Sequence, residues 1–522
     1  MFLVLLVAGF VACAGDNDNG APADGDADGE ATGENETDGD DEAADADPDA
    51  AESEAESGPV LFMQPHDGRL YAAAGAAVVT PTAENHPCTM FLGGTGSNRR
   101  ADGVHDDLEA RVLVLAQDDE HLVFVSLDFV GYSVADCSRV WDALAEVGVS
   151  RDRVILSSTH THAAPDTMGI WGESATKTGR CEQYVQFITD TLTETVVGLA
   201  DELEPVSVRS AAAELLEEGS TEPALVRDSR FPEILNKMLT VARFDSDEGQ
   251  TVATLVNWHS HPEQMIDSSK YSADFPRWTR QKLDQALGGT TVYISGTVGG
   301  LLTSLGAPIP KRTEAGEPVL DNGQPVLITE DNAEKAWSLG YVLGEHALAL
   351  LQTAAPTGET LRVRKEIVEI PFENIIFMIA QSAGLFPDYD DKVTDDPQRC
   401  GSAGCIRQPV HHVQIGKLHL VTAPGELFAE MSLGRPETTR EWGGDWGVKT
   451  YPAIEGYRSA LPEGHLLIDV GLANNEIGYI LPASDFLPNE HPDYYEEYYT
   501  ISDDSETLVR EAIRGMLSDS AR

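Results

Sequence analysis

The sequence predicts a mixed α/β fold in which buried β-sheets are flanked by helices. Three observations carry that prediction. From Gly58 onward, strand-like and helix-like stretches alternate along the chain. The strand-like stretches, such as Leu122–Leu127 (LVFVSL) and Arg153–Leu156 (RVIL), are short apolar runs that end in polar residues, the pattern of buried strands. The helix-like stretches repeat apolar residues three and four apart, as Val140, Trp141, Leu144 and Val147 do within Cys137–Val147. Longer helices are expected over Tyr184–Leu203, Phe275–Leu287, Ala333–Leu351 and Ser505–Leu517. No phosphate-binding loop, no G-x-G-x-x-G after a strand and no G-x-S-x-G elbow is present, which removes the commonest routes to nucleotide and serine esterase chemistry.

Taken in order, residues 1–13 read as an export signal. Phe2 to Ala12 are apolar and end at Cys13, a run too short to span a bilayer as a helix but of the length of a signal-peptide core. Phe10-Val11-Ala12-Cys13 resembles a bacterial lipobox, in which the Cys is lipidated. A membrane tether through Cys13 and an outer-membrane or cell-surface location are therefore expected, with a periplasmic or secreted protein as the alternative. Residues 14–57 hold 18 acids and no base, and almost no large apolar side chain, so this stretch is expected to be a disordered acidic linker extended by self-repulsion. No EF-hand spacing accompanies its Asp-rich repeats. Residues 58–522 are then expected to form the folded domain, with 70 acids against 35 bases. A net charge of −53 without a basic patch argues against a nucleic-acid partner.

Six cysteines are present, and five remain if Cys13 is lipidated. Export permits disulfides, and Cys400 and Cys405 bracket a Gly-rich loop that one could close, while the odd count leaves a free thiol.

Chemistry concentrates after the strands. Ser157-Ser158-Thr159-His160-Thr161-His162 follows the RVIL strand, and on an extended segment histidines at i and i+2 face the same way. Such a pair suits a metal or acid–base site, or else caps a loop. A second His-x-His, in Asn257-Trp258-His259-Ser260-His261-Pro262-Glu263, follows the strand TVATLV. The third segment, Leu418 to Phe428, reads as a strand, a Pro-Gly turn and a helix start. There Glu426 either answers the helix macrodipole or supplies an oxygen ligand that completes a His₂Glu zinc set with an open position.

The order and wording of these segments resemble the N-terminal catalytic domain of the neutral/alkaline, non-lysosomal ceramidase family. The resemblance runs through AAAGAAVVTPT, GGTGSNRRADGVHDDLEARVLVL, HLVFVSLDFVG, VILSSTHTHAAPDTMG, NWHSHPE, SADFP, LVTAPGELFAEMSLG and GLANNEIGYILPASDF. It implies a single zinc ion that hydrolyses the amide of ceramide to sphingosine and a fatty acid. It implies His160, His261, Glu426 and Tyr479 as zinc ligands and His162 as the acid–base group beside the metal. Arg227 and Tyr495 are implied near the substrate carbonyl, with His259 and His105 orienting ligands from behind. Three departures accompany it. His162-Ala163-Ala164-Pro165-Asp166 replaces the family's T-H-T-H-S-G-P-G ending. Thr297 to Thr303 replaces a serine-bearing segment, placing Leu302 where the serine is expected. The family's C-terminal immunoglobulin-like domain is expected to be absent. The implied function is a zinc amidohydrolase acting on a lipid-like N-acyl substrate, ceramide or an analogue. A zinc esterase or lactonase on the same fold, or a non-catalytic binding lipoprotein, are the alternatives.

Overall fold

The computed structural model describes residues 62, 65–215, 225–385, 392–393, 397–443, 447–487 and 494–520, all within the unit Pro59–Arg522. The export-signal, lipobox and acidic-linker expectations fall outside these residues.

The larger sheet has nine strands. Its long strands are β1 (Tyr71–Val78), β2 (Glu109–Gln117), β3 (Glu120–Leu127), β4 (Val154–Ser158), β5 (Glu204–Glu214), β6 (Met238–Ser246), β7 (Thr251–Trp258) and β8 (Thr290–Ser295). They lie in the order β8-β7-β6-β5-β1-β2-β3-β4, and Ala355–Pro356 pairs with β5. The pairs β3·β4 and β7·β8 are parallel and the other long pairs antiparallel. Parallel neighbours need a crossover, and each has one. Helix α1 (Val134–Glu146) joins β3 to β4, and α3 (Phe275–Leu287) joins β7 to β8. The smaller sheet runs β9 (Leu361–Pro371), β10 (Cys405–Ile415), β11 (Leu418–Thr422), β12 (Leu466–Val470), with β11·β12 parallel.

Burial of both sheet faces explains the unbroken apolar runs. On β2 and β3, Leu113, Leu115, Leu122 and Phe124 meet Val413, Ile415, Leu418 and Leu420 of the smaller sheet. The alternate residues Val112, Val114, Val123 and Val125 pack instead under α1 and α2 (Glu182–Ala200), through Val140, Leu144, Ile188 and Leu192. Farther along the same sheet, Val241, Val256 and Trp258 are covered by α3 and α4 (Ala333–Leu351). The outer face of the smaller sheet is covered by α5 (Ser505–Ser520). Two hydroxyls bring the ends of the larger sheet together: Ser126 Oγ on β3 donates to Tyr293 O at 2.6 Å, and Ser295 Oγ on β8 to Thr159 O at 2.6 Å. The carboxyl ends of β4 and β7 consequently open onto one place.

Helices α3 and α4 match the predicted ranges, each held at its start by a side-chain cap from Asp274 or Asn332. Helix α2 stops at Ala200 rather than Leu203, because Glu204 already pairs with β1. The disulfides are Cys88–Cys181 and Cys400–Cys405, and Cys137 is a buried free thiol. No described helix is long and apolar enough to cross a membrane.

Candidate metal centre

The first His-x-His pair does not lie on an extended segment, which corrects the sequence reading. Strand β4 ends at Ser158, and His160 has φ 72°, a left-handed backbone that costs a non-glycine residue roughly 1 kcal/mol. Two bonds hold it there: His160 N donates to Phe129 O at 2.9 Å, and Nδ1 contacts Val130 O at 2.5 Å. The turn, not an extended strand, sets the His160 and His162 rings 4.9 Å apart. His261 arrives from β7, its N bonded to Leu302 O at 2.8 Å and its Nδ1 facing the same carbonyl at 3.1 Å. Its ring lies 4.8 Å from that of His160.

Glu426 is likewise not in a helical first turn. Glu426–Leu427 is a short strand paired in parallel with Tyr479–Ile480, and the next helix begins at Ala429. The macrodipole explanation for Glu426 therefore falls. That pairing aims its carboxylate inward: Oε1 lies 3.6 Å from His160 Nε2 and Oε2 3.1 Å from His261 Nε2.

These distances fit a metal. Two ligand atoms about 2.1 Å from one tetrahedral ion stand about 3.4 Å apart. In both histidines a backbone carbonyl occupies Nδ1 and leaves the Nε2 lone pair inward, the tautomer a metal requires. His160, His162 and His261 form a buried group whose ligand atoms lie within 4.8 Å of one another. Both ring nitrogens of buried His162 lack a hydrogen-bond partner, an arrangement that suits a site awaiting a ligand.

Electrostatics agree. Burial lowers His160 to about 4 despite the nearby Glu426 carboxylate. Burial, with His160, His261 and Arg99 adding to it, takes His162 well below its usual value. His261 moves the other way: burial opposes its charge, but Glu426, Glu263 and the Leu302 carbonyl raise it to about 9. A proton and a divalent cation would thus compete for the space between His261 and Glu426.

The remaining candidates are placed as follows. The Tyr479 hydroxyl lies 3.4 Å from that of Tyr495, and burial together with Glu426 raises it well above the ordinary phenol range. Arg227 is exposed, its Nε donating to Leu305 O at 2.6 Å. His259 accepts from Thr297 N at 2.9 Å and bonds to none of the clustered histidines. His105 pairs with Asp106 at 2.9 Å. Leu302 is a core side chain whose carbonyl, not its side chain, serves the site.

Several contributors escaped sequence reasoning. Gly94, at φ 97°, lets the chain pass so close to His162 that a Cβ there would lie 2.5 Å from its ring. The Arg99 guanidinium is held by carbonyls of Thr95, His162 and Ser268. Buried Asp128 takes both Arg280 terminal nitrogens, at 2.7 and 2.6 Å, and Thr159 Oγ1 at 3.3 Å, bracing the turn before His160. Glu476 has a buried unpartnered Oε2 and is raised well above the carboxylate range by burial and by Glu426. Gly94, Arg99, Asp128 and Glu476 all stood inside the segments quoted above, yet no local pattern set them apart as part of a site.

Fold and site together define an α/β protein with a buried histidine–carboxylate centre at converging strand ends. Residues 74–274, which include His160, His162 and His261, match the family model of neutral/alkaline non-lysosomal ceramidase, N-terminal. Among solved structures, neutral ceramidase from Pseudomonas aeruginosa shares the fold with a TM-score of 0.62, at 14% identity over 87% of this chain and 75% of that one. A ceramidase complexed with C2 gives a TM-score of 0.61, at 14% identity over 87% of this chain and 76% of that one. No curated protein sequence matches the chain.

Proposed function

We propose that this chain is a zinc-dependent amidohydrolase of the neutral ceramidase type, cleaving the N-acyl amide of ceramide or a related lipid-like substrate. The observation that carries this reading is the convergence of His160 and His261 Nε2 on the two oxygens of Glu426. Zinc bound there supplies a Lewis acid that acidifies water and polarises an amide carbonyl. His160, His261 and Glu426 hold it, with Tyr479 as the fourth group, and the Val130 and Leu302 carbonyls fix the two imidazoles. His162 carries a proton to the leaving amine. Tyr495 and Arg227 donate hydrogen bonds to the carbonyl oxygen as negative charge grows on it. The protein works outside the cytoplasm and is tethered through Cys13; the pairing of Cys88 with Cys181 and of Cys400 with Cys405 supports an oxidising compartment.

The test is zinc content of the purified full chain together with hydrolysis of a fluorescent short-chain ceramide and its ester analogue. About one zinc per chain and amide turnover abolished by a chelator and restored by zinc are expected. A zinc-loaded protein that cleaves no N-acyl amide in a broad panel would sink the reading.

A further inference from the structure

Glu263 stands two residues beyond His261, only 8% exposed, and its two carboxylate oxygens are used differently. Oε1 accepts the Thr303 hydroxyl. Oε2 is turned toward His162 Nδ1, 3.9 Å away. Thr303 itself is fixed on both sides: it exchanges two backbone bonds with Arg227, at 2.8 and 2.9 Å, and bridges His261 in parallel. The carboxylate is therefore mounted on the segment that also brings the Leu302 carbonyl to His261.

His162 faces it with little freedom. Its N donates to Pro262 O at 3.2 Å, its carbonyl accepts from Arg99, and Gly94 passes against its ring. Two unbonded nitrogens on one buried ring are costly, about 1–3 kcal/mol each. Rotation of the ring by about 1 Å toward Glu263 would satisfy one of them, the kind of closure that hydrogen bonds in unliganded active sites undergo when ligand arrives.

We propose that Glu263 is the positioning residue for His162: it accepts the Nδ1 hydrogen, fixes that tautomer, and leaves Nε2 as the nitrogen that serves the reaction. This rests on the role given to His162 above. Thr303 is part of the device, since its hydroxyl holds the carboxylate in orientation. The segment that replaces the expected serine thus ends in a residue that acts on the acid–base histidine through Glu263.

The experiment uses the zinc-loaded full chain, with Glu263→Ala, Glu263→Gln and Thr303→Val. In ¹⁵N NMR of histidine-labelled protein, with the His162 signal assigned by its loss in His162→Gln, the parent protein shows Nδ1 protonated. Glu263→Ala moves the proton to Nε2, and Glu263→Gln, which keeps a carbonyl acceptor and serves if the alanine variant does not fold, retains the parent form. With the fluorescent short-chain ceramide, kcat falls roughly 10–100-fold in Glu263→Ala while KM stays within about twofold and zinc stoichiometry is unchanged. Thr303→Val shows a smaller loss of the same kind. An unchanged tautomer in Glu263→Ala, or loss of zinc from that variant, overturns the proposal. If the parent protein turns over no amide, the amidohydrolase reading fails, and the tautomer alone then decides for or against Glu263.

Discussion

Among the described residues, two clusters of three histidines use their nitrogens in opposite ways. In the cluster of His160, His162 and His261, backbone carbonyls take Nδ1 of His160 and His261, and the free Nε2 atoms converge on a carboxylate. In the cluster of His412, His419 and His465, the rings bond to each other: His412 Nε2 to His419 Nδ1 at 2.8 Å, and His419 Nε2 to His465 Nδ1 at 2.8 Å. Ring centroids of 5.1 and 5.0 Å are what imidazoles joined end to end must show. The chain of rings ties β10 and β11 to the residue before β12. The charged groups that act on it, Arg364 and Lys417, are basic. Histidine count and burial alone therefore do not make a metal site. A free lone pair, held by a partner on the far nitrogen and facing a carboxylate, is the arrangement that suits one.

The sharpest way to break this contrast is to remove one ring from each cluster. His261→Ala is expected to lose zinc and more than about 100-fold in activity, beyond what loss of an outer-shell partner costs. His419→Ala keeps both zinc content and kcat, as metal analysis and turnover of a fluorescent ceramide will show.

The second cluster should answer in stability instead. His419→Ala strands a nitrogen on each neighbour and is expected to cost about 2–3 kcal/mol, read from urea unfolding. Acid sharpens the point. Burial, reinforced by neighbouring positive charge, lowers His412 to about 4 and His419 to about 3. Below the unfolded value near 6.5 the unfolded chain binds more protons than the folded one. The stability these rings contribute is therefore complete above about pH 6.5 and is lost progressively as pH falls toward 4 and 3. About 1–2 kcal/mol per ring should disappear between pH 7 and 5, and a His419→Leu variant should show a flatter dependence. The smallest effect concerns the first cluster again. Gly94→Ala pushes a methyl into the His162 ring and strains φ 97°, so kcat should drop about tenfold with zinc retained.

Much of the fold was legible because periodicity reports burial. The alternation of Leu113 and Leu115 with Val112 and Val114 has no polar break, and the two faces it serves turn out to be the inter-sheet core and the helix layer. Helices α3 and α4 were readable to the residue because their caps are local. Where the partner was distant, local reading failed. Glu426 resembled a helix start until Tyr479 paired with it, and Leu203 fitted a helical repeat until Glu204 joined β1. Glu263 and Glu476 stood inside the quoted segments NWHSHPE and GLANNEIGYILPASDF, yet nothing local marked them out, since a buried carboxylate next to a site reads in sequence like any surface acid.

The sequence by itself determined the layered α/β character, the strand ends at which chemistry gathers, and the residue types there, because hydrophobic period and side-chain chemistry are properties of short segments. Only the tertiary structure decided that His160, His261 and Glu426 meet. Their meeting depends on Ser126 and Ser295 drawing the two ends of the larger sheet together, on the parallel pairing of Glu426 with Tyr479, and on carbonyls of Val130 and Leu302 choosing the tautomer. Each is a contact between residues far apart in the chain, and no local pattern encodes such a contact.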